Sequence, residues 1–472
     1  MRYPCDLSMT EALDFMRRGS LTAVELMQSV LDRMNAIPPD QHPYVMVRDH
    51  ADLLAEAAEA DRLRRSGEES GPIHGVPVGI KDIVDVAGIP TKCGSRSMED
   101  AAPAVEDAVL VAALKRAGGI IVGKTVTQEF AAGTISAPAR NPWDLDRIPG
   151  GSSGGSAAAI SAGMALLTIG TDTGCSIRCP ASVCGVTGLK PTYGSVSRRG
   201  IFPLSWSLDT AGPIARTVAD CATAFDVIAG YDSHDPGSSP VQHGSAVAEI
   251  GQDIRGLRIA YPGGFFHETL EDGLLEIFNA AASQFGELGA EIIGADWDLA
   301  AEARLASLVI NRVETSAIHD ERVRSNPGLM GEEWRLRVKS GLLVSAASYL
   351  RAQQARLVIR KSISAYFNYH RLDAMVVPAT SGVAARADDP ILTYSNGVRE
   401  HVLSGYTRMN MPFNATGQPA ISVPAGFTEA GLPIGMQIVG RPFAEARICR
   451  IGHAYELATG WIDRRPALTQ GA

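Results

Sequence analysis

Histidine is absent where this sequence is most unusual. No histidine lies within fifty residues, on either side, of the stretch Gly150–Pro180, GGSSGGSAAAISAGMALLTIGTDTGCSIRCP, whose first seven residues are all Gly or Ser. A serine there has no imidazole close in sequence to serve as its base. Other absences bound the rest of the chain. No run of eighteen apolar residues occurs, so no membrane-spanning helix is expected. The opening MRYPCDLSMTEALDF lacks the apolar segment of a secretory signal. Cysteine is sparse and odd in number, 7 in 472 residues, which argues against a disulfide framework and fits a reduced, cytoplasmic setting. Cys175, Cys179 and Cys184 cluster, but their spacing offers no fourth metal ligand, so small buried residues in a tight turn are expected there, with no metal and no cofactor. The net charge of −9 disfavours nucleic acid and anionic membranes as partners.

What is present is ample core: 45% of residues are hydrophobic and only 20% charged, a balance that folds rather than stays disordered. Ser8-x-x-Glu11 and Thr22-x-x-Glu25 are capping boxes, predicting two helices across 8–37, with a third over 51–65. In GVPVGIKD, Val76, Val78 and Ile80 alternate as in a strand that ends at Lys81. A helix over 106–117 and a strand from Gly118 follow. A helix of small residues is expected over 154–162, then a strand from Ala165. Further strands begin near residues 256, 374, 420 and 433, the last two as a hairpin, with helices over 272–288 and 445–458. This alternation predicts an α/β fold: one large α/β/α unit over 1–472, its mixed central sheet covered by helices on both faces. Within it, 1–70 supplies peripheral helices, 71–220 the core and 221–472 the remainder. The segment 232–251 reads as a surface loop.

Three readings of the Gly/Ser stretch compete. A phosphate-binding loop lacks the Gly-Lys-Ser/Thr ending it needs. A hydrolase elbow centred on Ser153, in GSSGG, needs a strand before it and a later histidine such as His401 or His453; Pro149 and Gly150 break the strand. The third reading pairs two serine turns with a lysine. Ser176 sits in a tight turn after an apolar strand, where successive N–H groups converge as in an oxyanion hole. Ser152 lies 24 residues earlier. Lys81 ends its own apolar strand, where desolvation lets a lysine titrate near neutrality and act as a base.

The pieces GVPVGIKD, RNPWD (Arg140–Asp144), GGSSGGSAAA, GTDTGCSIRCPASVCGVTGLKPTYG and SLDTAGPIARTVAD, followed by GQPAISVPAG and GLPIGMQIVG, occur in one order over most of the chain. In this the chain resembles the amidase signature family, which includes fatty-acid amide hydrolases, bacterial amidases and the glutaminase subunit of tRNA-dependent amidotransferases. The resemblance implies a Ser–cis-Ser–Lys triad: Ser176 as nucleophile, Ser152 as bridge, Lys81 as base. The N–H groups of Thr173, Gly174, Cys175 and Ser176 would form the oxyanion hole. It further implies hydrolysis of a small-molecule amide, or of a related hydrazide, carbamate or urea-like C–N bond other than a peptide bond, through an acyl-enzyme, with no cofactor, and a homodimer. Holding Lys81 neutral at about pH 7 costs about 4–5 kcal/mol, at about 1.36 kcal/mol per pH unit.

Neighbouring residues receive structural readings. Ser153 and Ser156 should hold the turn, and Asp172 with Arg178 should form an ion pair that shapes it. His74 reads as a surface residue at a strand start. Arg337 reads as an exposed helical arginine, with a substrate carboxylate as its alternative ligand. Two departures from the family stand out. Cys175 occupies a position where glycine is usual, with altered specificity or weak catalysis, as in a scaffold protein, as its consequences. The segment 129–144 is short. An amidotransferase glutaminase would need an acidic residue for the glutamine ammonium; none lies between Glu400 and Gly417, and the comparable position is Thr407.

Overall fold

The computed structural model describes residues 3–69, 71–241 and 243–468. Thirteen strands occur among them: β1 (Tyr44–Val47), β2 (Pro77–Lys81), β3 (Ile120–Thr125), β4 (Leu167–Asp172), β5 (Thr187–Lys190), β6 (Thr210–Ala215), β7 (Arg258–Ala260), β8 (Glu291–Ile293), β9 (Ala374–Pro378), β10 (Ile391–Thr393), β11 (Arg399–His401), β12 (Ala420–Phe427) and β13 (Pro433–Val439). Eleven join one sheet in the order β1-β3-β2-β4-β6-β5-β12-β13-β9-β7-β8, and β10 pairs only with β11. The sheet is mixed: β2 runs parallel to β3 and β4, whereas β4–β6 and the hairpin β12–β13 are antiparallel. Every residue of β2, β3, β4, β5, β6, β9 and β13 is buried, as a sheet covered on both faces requires. The expected α/β architecture is the one observed.

Local signals account for many elements. Both N-terminal capping boxes are formed, opening helices Met9–Arg17 and Ala23–Met34. The small-residue helix occupies Gly154–Ala162 and is buried throughout. Its start lies against the end of β3, because a Cβ on Gly155 would stand 2.4 Å from the Val126 nitrogen and 2.5 Å from the Pro43 oxygen.

Two long helices were not legible, Ala300–Ser325 and Ala346–Tyr369, and between them Glu332–Leu342 was anticipated only as the helical setting of Arg337. The buried side of Ala300–Ser325 is largely polar, and exposed leucines blur the pattern of all three. Asn311, Glu314, Thr315, His319 and Arg356 are buried, while Leu305, Leu336, Leu350 and Leu357 are about 60% exposed (59–61%). Polar side chains thus interrupt the apolar stripe of Ala300–Ser325, whereas Trp334 and Val338, and Ala352, Ile359, Ile363 and Tyr366, keep helical spacing among exposed leucines. Among the described residues no helix is long and apolar enough to cross a membrane.

The close seat of Gly155 gives a direct test. Gly155→Ala should destabilise the protein by about 2–3 kcal/mol, because backbone atoms must shift to admit the methyl group. Gly294→Ala, where a Cβ meets nothing within 4 Å, should leave the unfolding midpoint unchanged in the same denaturant titration.

Candidate active site

Strand β2 delivers Lys81 into the sheet interior, where its side chain is fully buried. Nζ lies 2.8 Å from Ser152 Oγ and 2.8 Å from Thr171 Oγ1. Among the described residues no carboxylate comes within ion-pair distance of it. Burial pushes its pKa down to about 7, against the opposing pull of the more distant Asp172 and Asp209 carboxylates. Thr171, next to the end of β4, is a partner that spacing did not reveal.

Ser152 sits in a loop held from several sides. The Gly151–Ser152 peptide is cis. Ser136 Oγ donates to the Ser152 carbonyl (3.1 Å) and accepts from Gly154 N (3.2 Å), and Gln128 N also donates to that carbonyl (3.1 Å). Ser136 was likewise invisible in sequence: it reaches the loop from a positive-φ position sixteen residues upstream. Ser153 and Ser156 do hold the turn. Ser153 Oγ donates to the Thr171 carbonyl and accepts from Thr171 N, both at 3.2 Å, and Ser156 Oγ donates to the Ile169 carbonyl. Ser153 is thus committed to backbone atoms and fully buried. Of the two histidines that a hydrolase elbow could have drawn on, His453 stands near Glu456 on the C-terminal helix Glu445–Thr459, and His401 Nδ1 accepts from Leu403 N.

The second serine turn follows β4. Asp172 and Arg178, both fully buried, form a two-pronged ion pair, Nε–Oδ2 and Nη2–Oδ1 each 2.9 Å. Burial would raise the Asp172 pKa, but Arg178 outweighs it and leaves the carboxyl at about 2. Asp172 Oδ2 also accepts from Ile177 N (3.2 Å) and Arg178 N (3.4 Å). The four preceding N–H groups, of Thr173, Gly174, Cys175 and Ser176, donate to no protein acceptor among the described residues. Buried N–H groups are nearly always paired, so four in succession mark a ready anion-stabilising turn. Ser153 N donates to the Ser176 carbonyl (3.3 Å), joining the two serine turns.

Cys175 is accommodated. It is absent from the positive-φ positions, so the backbone does not call for glycine, and its Sγ contacts the Gly151 carbonyl oxygen at 3.7 Å. All seven cysteines are unpaired and buried, and Cys184 Sγ donates to the Pro149 carbonyl. Among the described residues no cluster of His, Cys, Asp and Glu is placed to hold a metal.

Two structural readings need correction. His74 is not at the surface: it is buried, with Nε2 2.9 Å from the Ala60 carbonyl oxygen. Arg337 is not an exposed helical arginine either. It lines a cavity of about 260 Å³ that Thr173, Gly174, Cys175 and Ser176 also line. The same cavity reaches Thr134, in the short segment, and Thr407.

Comparison with known proteins places the chain in a family. The Amidase family model matches residues 25–449. A glutamyl-tRNA(Gln) amidotransferase chain of Roseiflexus castenholzii is 38% identical, with 98% of each chain covered. That alignment spans 496 positions, more than this 472-residue chain can fill, so the relative carries segments with no counterpart here. An amidase of Pseudomonas putida is also 38% identical over 98% of each chain, across only 464 positions. Among solved structures, a chain from a vestigial protein complex tied to the origins of an s-triazine catabolic enzyme superposes with a TM-score of 0.91 at 33% identity, covering 98% of this chain and 100% of that one. On these matches and on the sheet, loop and turn described above, the chain belongs to the amidase family.

Proposed function

We propose that this protein hydrolyses a small-molecule amide through Ser176, Ser152 and Lys81, without a cofactor. The observation that carries the reading is a fully buried lysine with only hydroxyl groups in contact. A neutral amine has one lone pair and two N–H bonds. Thr171 Oγ1 accepts one N–H, which leaves the lone pair free to take the Ser152 proton. Ser152 in turn takes the proton of Ser176, whose Oγ attacks the amide carbon. The carbonyl oxygen, now negative, is stabilised by the free N–H groups of Thr173 to Ser176. The proton returns through Ser152 to the departing amine, the C–N bond breaks, and an acyl-enzyme remains. Water then adds by the same proton path and releases the acid and Ser176. Seven unpaired buried thiols suit a cytoplasmic setting for this chemistry.

A second reading, the glutaminase component of an amidotransferase, is favoured by the 38% identity to such a chain. Against it, no acidic residue lines the cavity among the described residues, so a glutamine ammonium would find no counter-charge. Purification with partner chains and glutamine-dependent ammonia release would decide for it.

Two measurements test the triad. Because the base acts only when deprotonated, and the folded-state pKa lies near 7 rather than at the ordinary lysine value, kcat/KM should rise with pH through about 7 and level above it. Lys81→Ala should lower kcat by about a thousandfold or more and remove that rise; full activity in Lys81→Ala would end the assignment. A fluorophosphonate should label the wild-type protein at Ser176 and leave Ser176→Ala unlabelled, as read by peptide mass.

A further inference from the structure

We propose, building on the amidase reading above, that Asp209 is a positioning residue for the reaction: its carboxylate fixes the start of the oxyanion turn through the Thr173 hydroxyl and ties that turn to the segment carrying Leu204 into the cavity. Asp209 immediately precedes β6 and does not itself line the cavity of about 260 Å³. Thr173 Oγ1 donates to its Oδ1 at 2.6 Å, and Leu204 N and Ser205 N donate to its Oδ2, both at 2.9 Å. Thr173 and Leu204 do line the cavity. All three contacts are donors, so the ionised carboxyl is the form they hold. Asp209 forms no ion pair among the described residues; Arg198, which acts on it from a distance, pairs with Asp235 instead. A second buried carboxylate fastens the same segment to the helical wall of the cavity. Glu314, on helix Ala300–Ser325, accepts from Ser205 Oγ, from Ser207 N (3.1 Å) and Oγ (2.7 Å), and from Tyr349 OH (3.0 Å). Thr315 Oγ1 donates to the Leu204 carbonyl at 3.3 Å. The same helix gives Leu308, Asn311 and Arg312 to the lining, with Arg337 bonded to Asn311. Segment 203–209 is thus a strap between the nucleophile turn and the helical wall.

The turn is gripped by a carboxylate at each end. After its free N–H groups, Asp172 Oδ2 accepts from Ile177 N and Arg178 N. At their start, Asp209 holds the Thr173 side chain. An oxyanion hole works to the extent that its donors are already aimed when charge develops. The negative charge of Asp209 opposes an oxyanion nearby, so electrostatics alone would favour a neutral residue there. Its place is accounted for by what it holds. Burial raises its pKa from the usual carboxyl value, against the pull of its three hydrogen bonds and of Arg198. The charge is also felt at Lys81. The groups acting there against burial are Asp172 first, Asp209 next, and then the Cys175 and Cys93 side chains. Asparagine cannot replace this carboxylate. Its single acceptor oxygen can face Thr173 or the two backbone N–H groups, and its NH₂ then meets a donor.

The test follows fluorophosphonate labelling of Ser176 on the full-length protein, across a pH series from about 5 to about 9. Peptide mass fixes the labelled site, and a denaturant titration accompanies each variant. Thr173→Val removes the hydroxyl and keeps the Asp209 charge. It should lower the saturating labelling rate by about tenfold or more, with the half-saturating probe concentration little changed and the pH midpoint still near 7. Thr173→Ser, which keeps the hydroxyl, should recover most of that loss. Asp209→Asn should lose a similar factor, although removal of a negative charge would by itself raise the rate. It should also move the midpoint to lower pH, because Lys81 loses one of the charges that favour its ammonium form. A Thr173→Val rate within about twofold of wild type, no recovery in Thr173→Ser, a wild-type rate in Asp209→Asn or an unmoved midpoint in that variant would overturn the proposal. Lowered stability with labelling rates intact marks a purely structural role and overturns it as well. If Asp209→Asn does not fold, the two Thr173 variants decide. The wild type separates the two levels. Absence of label at Ser176 rejects the amidase reading, whereas a labelled Ser176 indifferent to Thr173→Val rejects the positioning role alone.

Discussion

One lysine kept from water without a counter-ion is the constraint around which the site is arranged. The sheet contains three fully buried lysines, and their fates differ by their partners alone. Lys124, on β3 beside β2, has the Asp82 carboxylate at 3.0 Å, so its charge is met in place. Lys190, at the end of β5, is pushed down to about 7 by burial and by Arg178, but its Nζ donates to the Pro191 carbonyl and reaches no serine. Of the three, only Lys81 has its Nζ on a serine hydroxyl, that of Ser152. A carboxylate in contact would restore the ammonium form, and open water would do the same. A neutral amine at Lys81 therefore needs both burial and the absence of an acid.

That absence is maintained close by, since Asp172 follows the Thr171 that Lys81 touches. Its charge still acts on Lys81, as the strongest influence opposing burial. What keeps the carboxylate engaged elsewhere is Arg178, with Asn414 Nδ2 donating to Oδ1 at 2.8 Å. Arg178 is itself fixed by Asn414 Oδ1 (2.7 Å) and by Gln437 Oε1 on β13 (2.9 Å). A fully buried pair is not obviously stabilising by itself, since desolvation offsets much of its attraction. Here it has a separate consequence. It ties the serine turn to elements more than two hundred residues away and orients the Ile177 and Arg178 N–H groups toward Asp172, leaving those of Thr173 to Ser176 free.

The residues of this arrangement were legible to the extent that local sequence encodes them. Lys81 at a strand end, two Gly/Ser turns and the small-residue helix between them are consequences of short-range pattern, and the fold class follows from the alternation of helices and strands. Thr171 and Ser136 were not legible, because a threonine in a strand and a serine in a loop are ordinary, and only the folded geometry aims them at Nζ and at the Ser152 carbonyl. His74 escaped for the opposite reason: its polarity suggested solvent, but a carbonyl fourteen residues upstream satisfies its ring in the interior. The demand for glycine at Cys175 is absent because its backbone angle is an ordinary one, which no single sequence displays.

The helical wall was the least legible part. A helix announces itself through an apolar stripe, whereas Ala300–Ser325 turns Arg304, Asn311 and Arg312 inward because that side faces a polar cavity and not the core. Periodicity fails where a helix lines a polar cavity. This also separates two kinds of constraint in the chain. Lys81, Ser152 and the free N–H groups come from residues 81–176, interlocked by buried hydrogen bonds. Part of the facing wall comes from helices 300–342, and residues 131–134 and 401–411 supply more of the lining. Exchange of Arg337 or Leu308 can alter what the cavity admits without disturbing the desolvation of Lys81. One catalytic arrangement can thus persist beneath walls of very different charge, and the substrate must be read from the wall.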